Sequence, residues 1–186
     1  MEFKGSKTEA NLMAAFAGES QASVKYSYYA DAAKKDGYEH IAAVFTETAD
    51  NERAHANVWF KLLHGGNVDP TVENLDAAAG GENFEWTKMY AGFAAEAREE
   101  GFNEIAMLFE LVGSIENRHE ERFRRLIDEL NNGTVFKCDS VCLWKCRNCG
   151  YVHVGETAPR MCPVCKHPQS YFEPTDEYQL NSGRTD

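Results

Sequence analysis

The chain has 186 residues, with 19 Lys and Arg against 30 Asp and Glu, giving a formal net charge of −11. That acidity argues against general nucleic-acid binding, and no apolar run approaches the roughly 20 residues of a membrane helix. The opening MEFKGSKTEA has no apolar stretch of the secretory kind, so the expectation is a cytoplasmic protein.

In chain order, Ser6-Lys7-Thr8-Glu9 reads as a capping box that starts a helix. Gly37, Gly65-Gly66, Gly101 and Gly133 each follow a helical stretch and read as C-terminal caps or turns. They predict four helical segments over about 7–36, 38–64, 81–100 and 102–132. The intervening GGNVDPTVENLDAAAG reads as a crossover between two helix pairs of a four-helix bundle. The second and fourth segments are related at a constant offset of 64: DGYEHIAAVFTETADNERAH aligns with EGFNEIAMLFELVGSIENRH. This predicts two helix hairpins of common origin.

The apolar stripe of the second segment runs Ile41, Phe45, Thr48, Glu52, His55, Trp59, Leu62. The fourth gives Ile105, Phe109, Val112, Glu116, His119, Phe123, Leu126. Steps of four and three keep each set on one inward face, so both stripes carry Glu-x-x-His in the middle of the expected core. A single buried Glu-x-x-His is ordinarily an edge salt bridge and a satisfied histidine. Two at equivalent places are different, because a buried carboxylate needs a compensating charge and neither stripe holds a lysine or arginine. A pair of metal ions compensates both, with a carboxylate from each remaining helix. On the first helix Glu19 shares a face with Leu12, Phe16, Ser23 and Tyr26. On the third, Glu82 and Glu85 both lie at the matching depth, and spacing does not choose between them. Glu96, Glu99 and Glu100 lie too near the turn and are expected to face water.

After Gly133 the composition turns to cysteine, glycine and proline. Cys146-x-x-Cys149 and Cys162-x-x-Cys165 form two knuckles of a tetrahedral metal site, in a segment too small to fold on an apolar core alone. Gly150 suits the backbone bend toward the sulfurs. Cys138 and Cys142 have no matching pair and are expected as reduced thiols near the surface, the alternative being a redox-active or oxidised pair. His40, His64, His153 and His167 are expected not to be ligands. TDEYQLNSGRTD reads as a polar tail. The expected domains are a bundle over 1–134, a metal-stapled β and loop domain over 135–175, and a tail over 176–186.

The stretches AFAGESQA, ETADNERAH, GENFEWTKMY, REEGFNEIA, IENRHEERF and KCRNCGYVH…CPVC make the chain resemble the rubrerythrin family over about residues 5–173. The resemblance implies a mainly α protein, a ferritin-like four-helix bundle followed by a rubredoxin-like domain. It implies Glu19, Glu52, Glu82, Glu85, Glu116 and His119 as diiron ligands, with His55 exchanging with Glu85 as the redox state changes. It implies one iron held by Cys146, Cys149, Cys162 and Cys165. The implied activity is a peroxidase of oxidative-stress protection, reducing hydrogen peroxide to water. Electron transport would run through the rubredoxin-like iron from an external NAD(P)H-linked reductase or a rubredoxin, and the chain would form a head-to-tail homodimer. Tyr26 is placed to hydrogen-bond near the irons or to pack in the core. The rival readings are a ferroxidase or iron-storage protein, which leaves the cysteine module without work, and a zinc-stapled non-enzymatic metal-binding protein, which leaves the paired Glu-x-x-His without a reason.

Overall fold

The structure, a computed structural model, describes residues 2–175, so the expected tail over 176–186 lies outside the described residues. Helix α1 spans Lys7–Lys35 and α2 spans Glu39–Leu63; α3, Thr71–Phe84, continues through a π-helical turn at Glu85–Met89 into α4, Tyr90–Glu99; α5 spans Asn103–Asn131. Three strands follow: β1 Lys137–Cys146, β2 Val152–Thr157 and β3 Phe172–Pro174. The class is the expected one, mainly α with a small β module that carries the four cysteines. Residues up to Pro70 form one compact unit and those from Thr71 onward a second.

The Ser6 half of the capping box forms: Ser6 is the N-cap of α1, and its Oγ accepts from the Glu9 amide at 3.1 Å, while the Glu9 carboxylate accepts from the Gly5 amide and the Ser6 amide donates to Phe3 O. Gly37 and Gly101 end their helices in the left-handed region, at φ 83° and 88°. That conformation lets Tyr38 N–H reach Ala33 O and Phe102 N–H reach Ala97 O, both at 2.8 Å, which satisfies carbonyls the helices would otherwise leave open.

Small residues make the seam of each hairpin. In α2 the buried positions are Ala42, Ala49 and Ala56; in α5 they are Ala106, Gly113 and Glu120. Both sets recur every seven residues, and they match each other at the same offset of 64. Alanine at that interval lets antiparallel helices approach closely. Opposite them lie buried Ala30 and Ala33 on α1 and their counterparts Ala94 and Ala97 on α4. The larger side chains flank the seam, so the stripes expected to point inward do so only in part. Phe45, Thr48, Glu52 and Trp59 are half-buried, whereas Ile41, His55, Leu62 and Ile105 are exposed.

The aromatic packing repeats as well. Tyr29 and Phe45 ring centroids are 5.6 Å apart, as are Phe93 and Phe109; Tyr26–Phe45 is 6.2 Å and Tyr90–Phe109 is 6.0 Å. The duplication therefore covers the first helix of each pair as well as the second.

One boundary is corrected. The expected third segment began at 81, after a long crossover, but α3 begins at Thr71. Glu73 sits in its first turn, and Ala77, Ala78 and Ala79 are strong helix formers. Gly80-Gly81 resembled a loop; inside the helix each costs about 1 kcal/mol relative to alanine, and the helix nevertheless runs through them beside the fully buried Ala79.

In the module the strand order is β2-β1-β3, all antiparallel. Trp144, Cys146, Ala158, Cys162 and Phe172 form its core, and Trp144 Nε1 donates to Gly155 O at 3.1 Å. A second correction concerns Cys138 and Cys142: they are joined by a disulfide, the oxidised alternative, rather than standing as reduced thiols.

Candidate metal centres

Among the described residues, three groups of side chains gather metal-ligating atoms, each with its atoms within 4.8 Å of one another. The first is Glu19 of α1 with Glu52 and His55 of α2. The second is Glu82 of α3 with Glu116 and His119 of α5. The third is Cys146, Cys149, Cys162 and Cys165.

In both helical groups the i,i+3 spacing brings imidazole against carboxylate. His55 Nδ1 lies 2.8 Å from Glu52 Oε2, and His119 Nδ1 lies 2.7 Å from Glu116 Oε2 and 3.5 Å from Glu82 Oε2. The face on α1 is as expected, with Leu12, Phe16, Glu19, Ser23 and Tyr26 all half-buried. Ser23 Oγ fixes it to α2 by donating to Ala49 O at 2.8 Å.

The π turn explains how Glu82 matches Glu19. Glu19 stands 18 residues before Gly37, but Glu82 stands 19 before Gly101. A π-helical turn takes up one extra residue, and this one lies between Glu82 and the glycine. Glu85 opens that turn. It is half-buried, belongs to neither helical triad, and has no carboxylate counterpart on α1.

The second group is short of positive charge. Burial, then the Glu116 carboxylate, hold the Glu82 carboxyl above its ordinary value, against the opposing pull of His119. Burial also raises the Tyr90 phenol, followed by the charges of Glu85, Glu116 and Glu82. A carboxylate whose proton affinity a neighbouring carboxylate raises in this way suits a cation ligand.

Beside them Glu120 is a fully partnered carboxylate. Its Oε2 accepts from Trp86 Nε1 at 2.6 Å and Asn83 Nδ2 at 2.9 Å, and its Oε1 accepts from Arg124 Nε at 2.6 Å. The Trp86 and Asn83 bonds are the main reason its pKa is lowered. Glu120 thus ties the segment carrying Glu82 and Glu85 to the helix carrying Glu116 and His119.

The cysteine group is built from two similar knuckles. Gly150, at φ 76°, donates its amide to Cys146 O at 2.8 Å; Lys166, at φ 61°, donates to Cys162 O at 3.0 Å. Cys146 and Cys165 sulfurs are 3.7 Å apart, and Cys149 and Cys162 sulfurs 3.6 Å. A tetrahedron with metal–sulfur bonds of about 2.3 Å has edges of about 3.8 Å, so the spacing fits one ion. Two of the sulfurs are shifted in opposite directions. A backbone bond from His167 leads in drawing Cys165 down to about 5. The Tyr151 amide pulls Cys149 the same way, but desolvation and the neighbouring sulfurs outweigh it and push it up to about 12. Four thiolates at this distance need a cation between them.

Most of the expected site residues are therefore brought into clusters, with Glu85 apart from the triads. Glu96, Glu99 and Glu100 are exposed, as expected. Tyr26 packs against Tyr29 and Phe45. His64 stacks on Phe60 at 4.0 Å and His167 packs edge-on to Tyr171. Sequence reasoning missed Glu120, Tyr90 and the left-handed Lys166. The offset of 64 could have found Tyr90, as the partner of Tyr26.

Comparison with known proteins gives concordant matches. A family model described as Rubrerythrin matches residues 10–127, and one described as the rubredoxin-like domain of rubrerythrin matches residues 144–173. Rubrerythrin of Porphyromonas gingivalis is 50% identical over 182 residues, covering 92% of this chain and 91% of its own length. Rubrerythrin-1 of Clostridium acetobutylicum is 48% identical, covering 91% and 95% respectively. Rubrerythrin of Nitratidesulfovibrio vulgaris is 47% identical, again covering 91% and 95%.

Proposed function

The chain belongs to the rubrerythrin family, and from that premise we propose that it is a peroxidase, reducing hydrogen peroxide to water at a diiron centre refilled through its four-cysteine iron. The family is one of diiron oxidoreductases of oxidative stress, and the donor sets fit its two cofactors, a carboxylate and histidine diiron site and a rubredoxin-like iron. The observation that carries the reading is the pairing, in one chain, of two Glu/His triads with a tetrahedral four-sulfur site.

We assign Glu19, Glu52, Glu82, Glu85, Glu116 and His119 as ligands of the diiron centre, with His55 as the ligand that exchanges with Glu85. Cys146, Cys149, Cys162 and Cys165 hold the third iron. When bound, the irons supply the electron pair that splits the O–O bond and the one-electron steps that restore it. The protein's own part is charge and position. Glu82 and Glu116 supply the anionic donors and are held in register by the Glu120 bonds to Asn83 and Trp86. Tyr90 lies within reach of the charges of Glu85, Glu116 and Glu82, and its hydroxyl can donate to an oxygen beside them. The π turn places Glu85 on the same helix, three residues after Glu82.

Electrons enter from an external NAD(P)H-linked reductase or a rubredoxin, and the working form is a head-to-tail homodimer. Support for association comes from the exposed Ile41, Leu62 and Ile105, on stripes whose other residues, His55 apart, are half-buried, which a partner surface would cover. Metal analysis with a visible spectrum is the test. The native protein should hold three irons per chain and be red when oxidised, bleaching on reduction. Zinc in the cysteine site of a colourless native preparation would overturn the electron-relay role.

A further inference from the structure

The Cys138–Cys142 disulfide stands outside all three metal clusters. Its two cysteines are four residues apart on one strand, with Cα atoms 6.5 Å from each other. In a regular strand that separation would be about 13 Å, beyond the reach of a disulfide. β1 closes the gap by bulging: Lys137 pairs with Thr157 and Cys142 with Gly155, so five steps on β1 run against two on β2.

As a staple this bond has little to do. Closing so short a loop constrains the unfolded chain least, and the pairing of β1 to β2 and β3 is made on either side of residues 139–141, at Lys137 and from Cys142 to Cys146. Its two sulfurs also differ in surroundings. Cys138 lines a surface cavity of about 290 Å³ together with Glu129, Thr134, Lys137, Asp139 and Trp144. Cys142 is not among the lining residues; its Sγ lies 3.7 Å from Gly155 O. Both pack against the core that holds Cys146 and Cys162.

We propose that Cys138 and Cys142 form a reversible dithiol–disulfide site, oxidised by hydrogen peroxide and reduced by an external dithiol, with Cys138 the sulfur attacked first, through the cavity. In oxidation the Cys138 thiolate attacks one peroxide oxygen. The O–O bond breaks, leaving a sulfenic acid on Cys138 and a hydroxide that takes a proton and departs as water. The Cys142 thiolate then attacks the Cys138 sulfur, the S–S bond forms, and the sulfenic oxygen leaves with a proton as the second water. Two thiols and one peroxide become one disulfide and two waters. In the return step a reductant thiolate attacks Cys138, forms a mixed disulfide and releases Cys142, whose thiol finds Gly155 O as an acceptor at hand. The reductant's second thiolate resolves the mixed disulfide, freeing Cys138. Two protons and two electrons are taken up.

This site does not depend on the diiron reading, because its readout is the state of two sulfurs and not turnover. The test uses the iron-loaded full-length protein, treated with dithiothreitol and then with hydrogen peroxide. Each stage is followed by alkylation and peptide mass analysis. Dithiothreitol should open both thiols to alkylation while the four metal-ligating cysteines stay protected, and peroxide should close the pair again with loss of two hydrogens. In the Cys142→Ser variant, glutathione disulfide should add one glutathione at Cys138. In Cys138→Ser, addition at Cys142 should be more than about tenfold slower, since access limits it. Retained red colour in both variants shows the module folded. A disulfide that survives dithiothreitol, or a reduced pair that peroxide does not close, overturns the proposal in the wild-type protein alone. Equal or faster addition at Cys142 overturns the role given to Cys138.

Discussion

Replacing Glu120 should loosen the second metal triad from outside it. The side chain is 9% exposed and takes three donors, two from the α3 and π-turn segment and one from Arg124. In Glu120→Ala, Asn83 and Trp86 lose their acceptor while half-buried, at about 1–3 kcal/mol each. Arg124 is 53% exposed and regains water, so its share is small. A loss of about 2–6 kcal/mol follows. Alanine itself is not the difficulty, since Ala56 holds the equivalent seam position of α2. Glu120→Gln keeps one oxygen and turns an NH₂ toward either Arg124 or the Asn83 and Trp86 donors, so its loss should be about 1.5–3 kcal/mol, the range for a bond to a charged group. Urea unfolding of the metallated proteins gives these numbers, and iron analysis gives the second outcome: bundle iron lost, red colour kept. An alanine variant that unfolds at the wild-type midpoint with three irons per chain would refute the reasoning.

Other perturbations separate the parts. Cys149→Ser should abolish steady-state turnover with a reductase and remove the red colour, while a prereduced bundle still completes one turnover with peroxide; Glu52→Ala should do the converse, losing both activities and staying red. His55→Gln keeps side-chain volume but weakens ligation to ferrous iron, so stopped-flow oxidation of the prereduced, fully metallated variant by peroxide should slow; an unchanged rate would mean the exchange with Glu85 is not needed. Ala49→Leu overfills the α1–α2 seam where Ser23 bonds the Ala49 carbonyl, and should destabilise by about 1–3 kcal/mol in thermal or urea unfolding, an effect absent from the exposed control Val58→Leu.

Features that repeat or cap are legible in the amino-acid sequence. Ser6 and Glu9 announce a helix start because their hydrogen bonds are local, and Gly37 and Gly101 announce ends because few other residues adopt that φ. Two Glu-x-x-His motifs at one offset expose most of the carboxylate clusters, and two C-x-x-C knuckles the sulfur cluster. Less local features are hidden. Gly80-Gly81 reads as a loop because glycine is weak in helices, yet the helix runs through them beside buried Ala79. Glu120 looks like one more surface acid; only its heptad relation to Ala106 and Gly113 places it in a seam. Lys166 has the wrong side chain for its φ and is held there by the knuckle. The disulfide depends on a strand irregularity that no residue type in KCDSVC declares.

The π turn makes the hairpins unequal where the internal repeat makes them alike. Buried Ala79 and Ala94 are 15 residues apart, one more than two heptads. In unbroken α-helix that extra residue would rotate everything upstream by about 100°, carrying Glu82 off the face it shares with Glu116 and His119. The wider turn absorbs the insertion, so the face survives and the duplicated unit gains a residue of chain just where a further carboxylate is set down. Twofold symmetry would give both halves of a metal pair the same options. On the ligand set proposed above, only one half would have a carboxylate in reserve, and a coordination change driven by electron gain or loss would acquire a direction from the backbone itself.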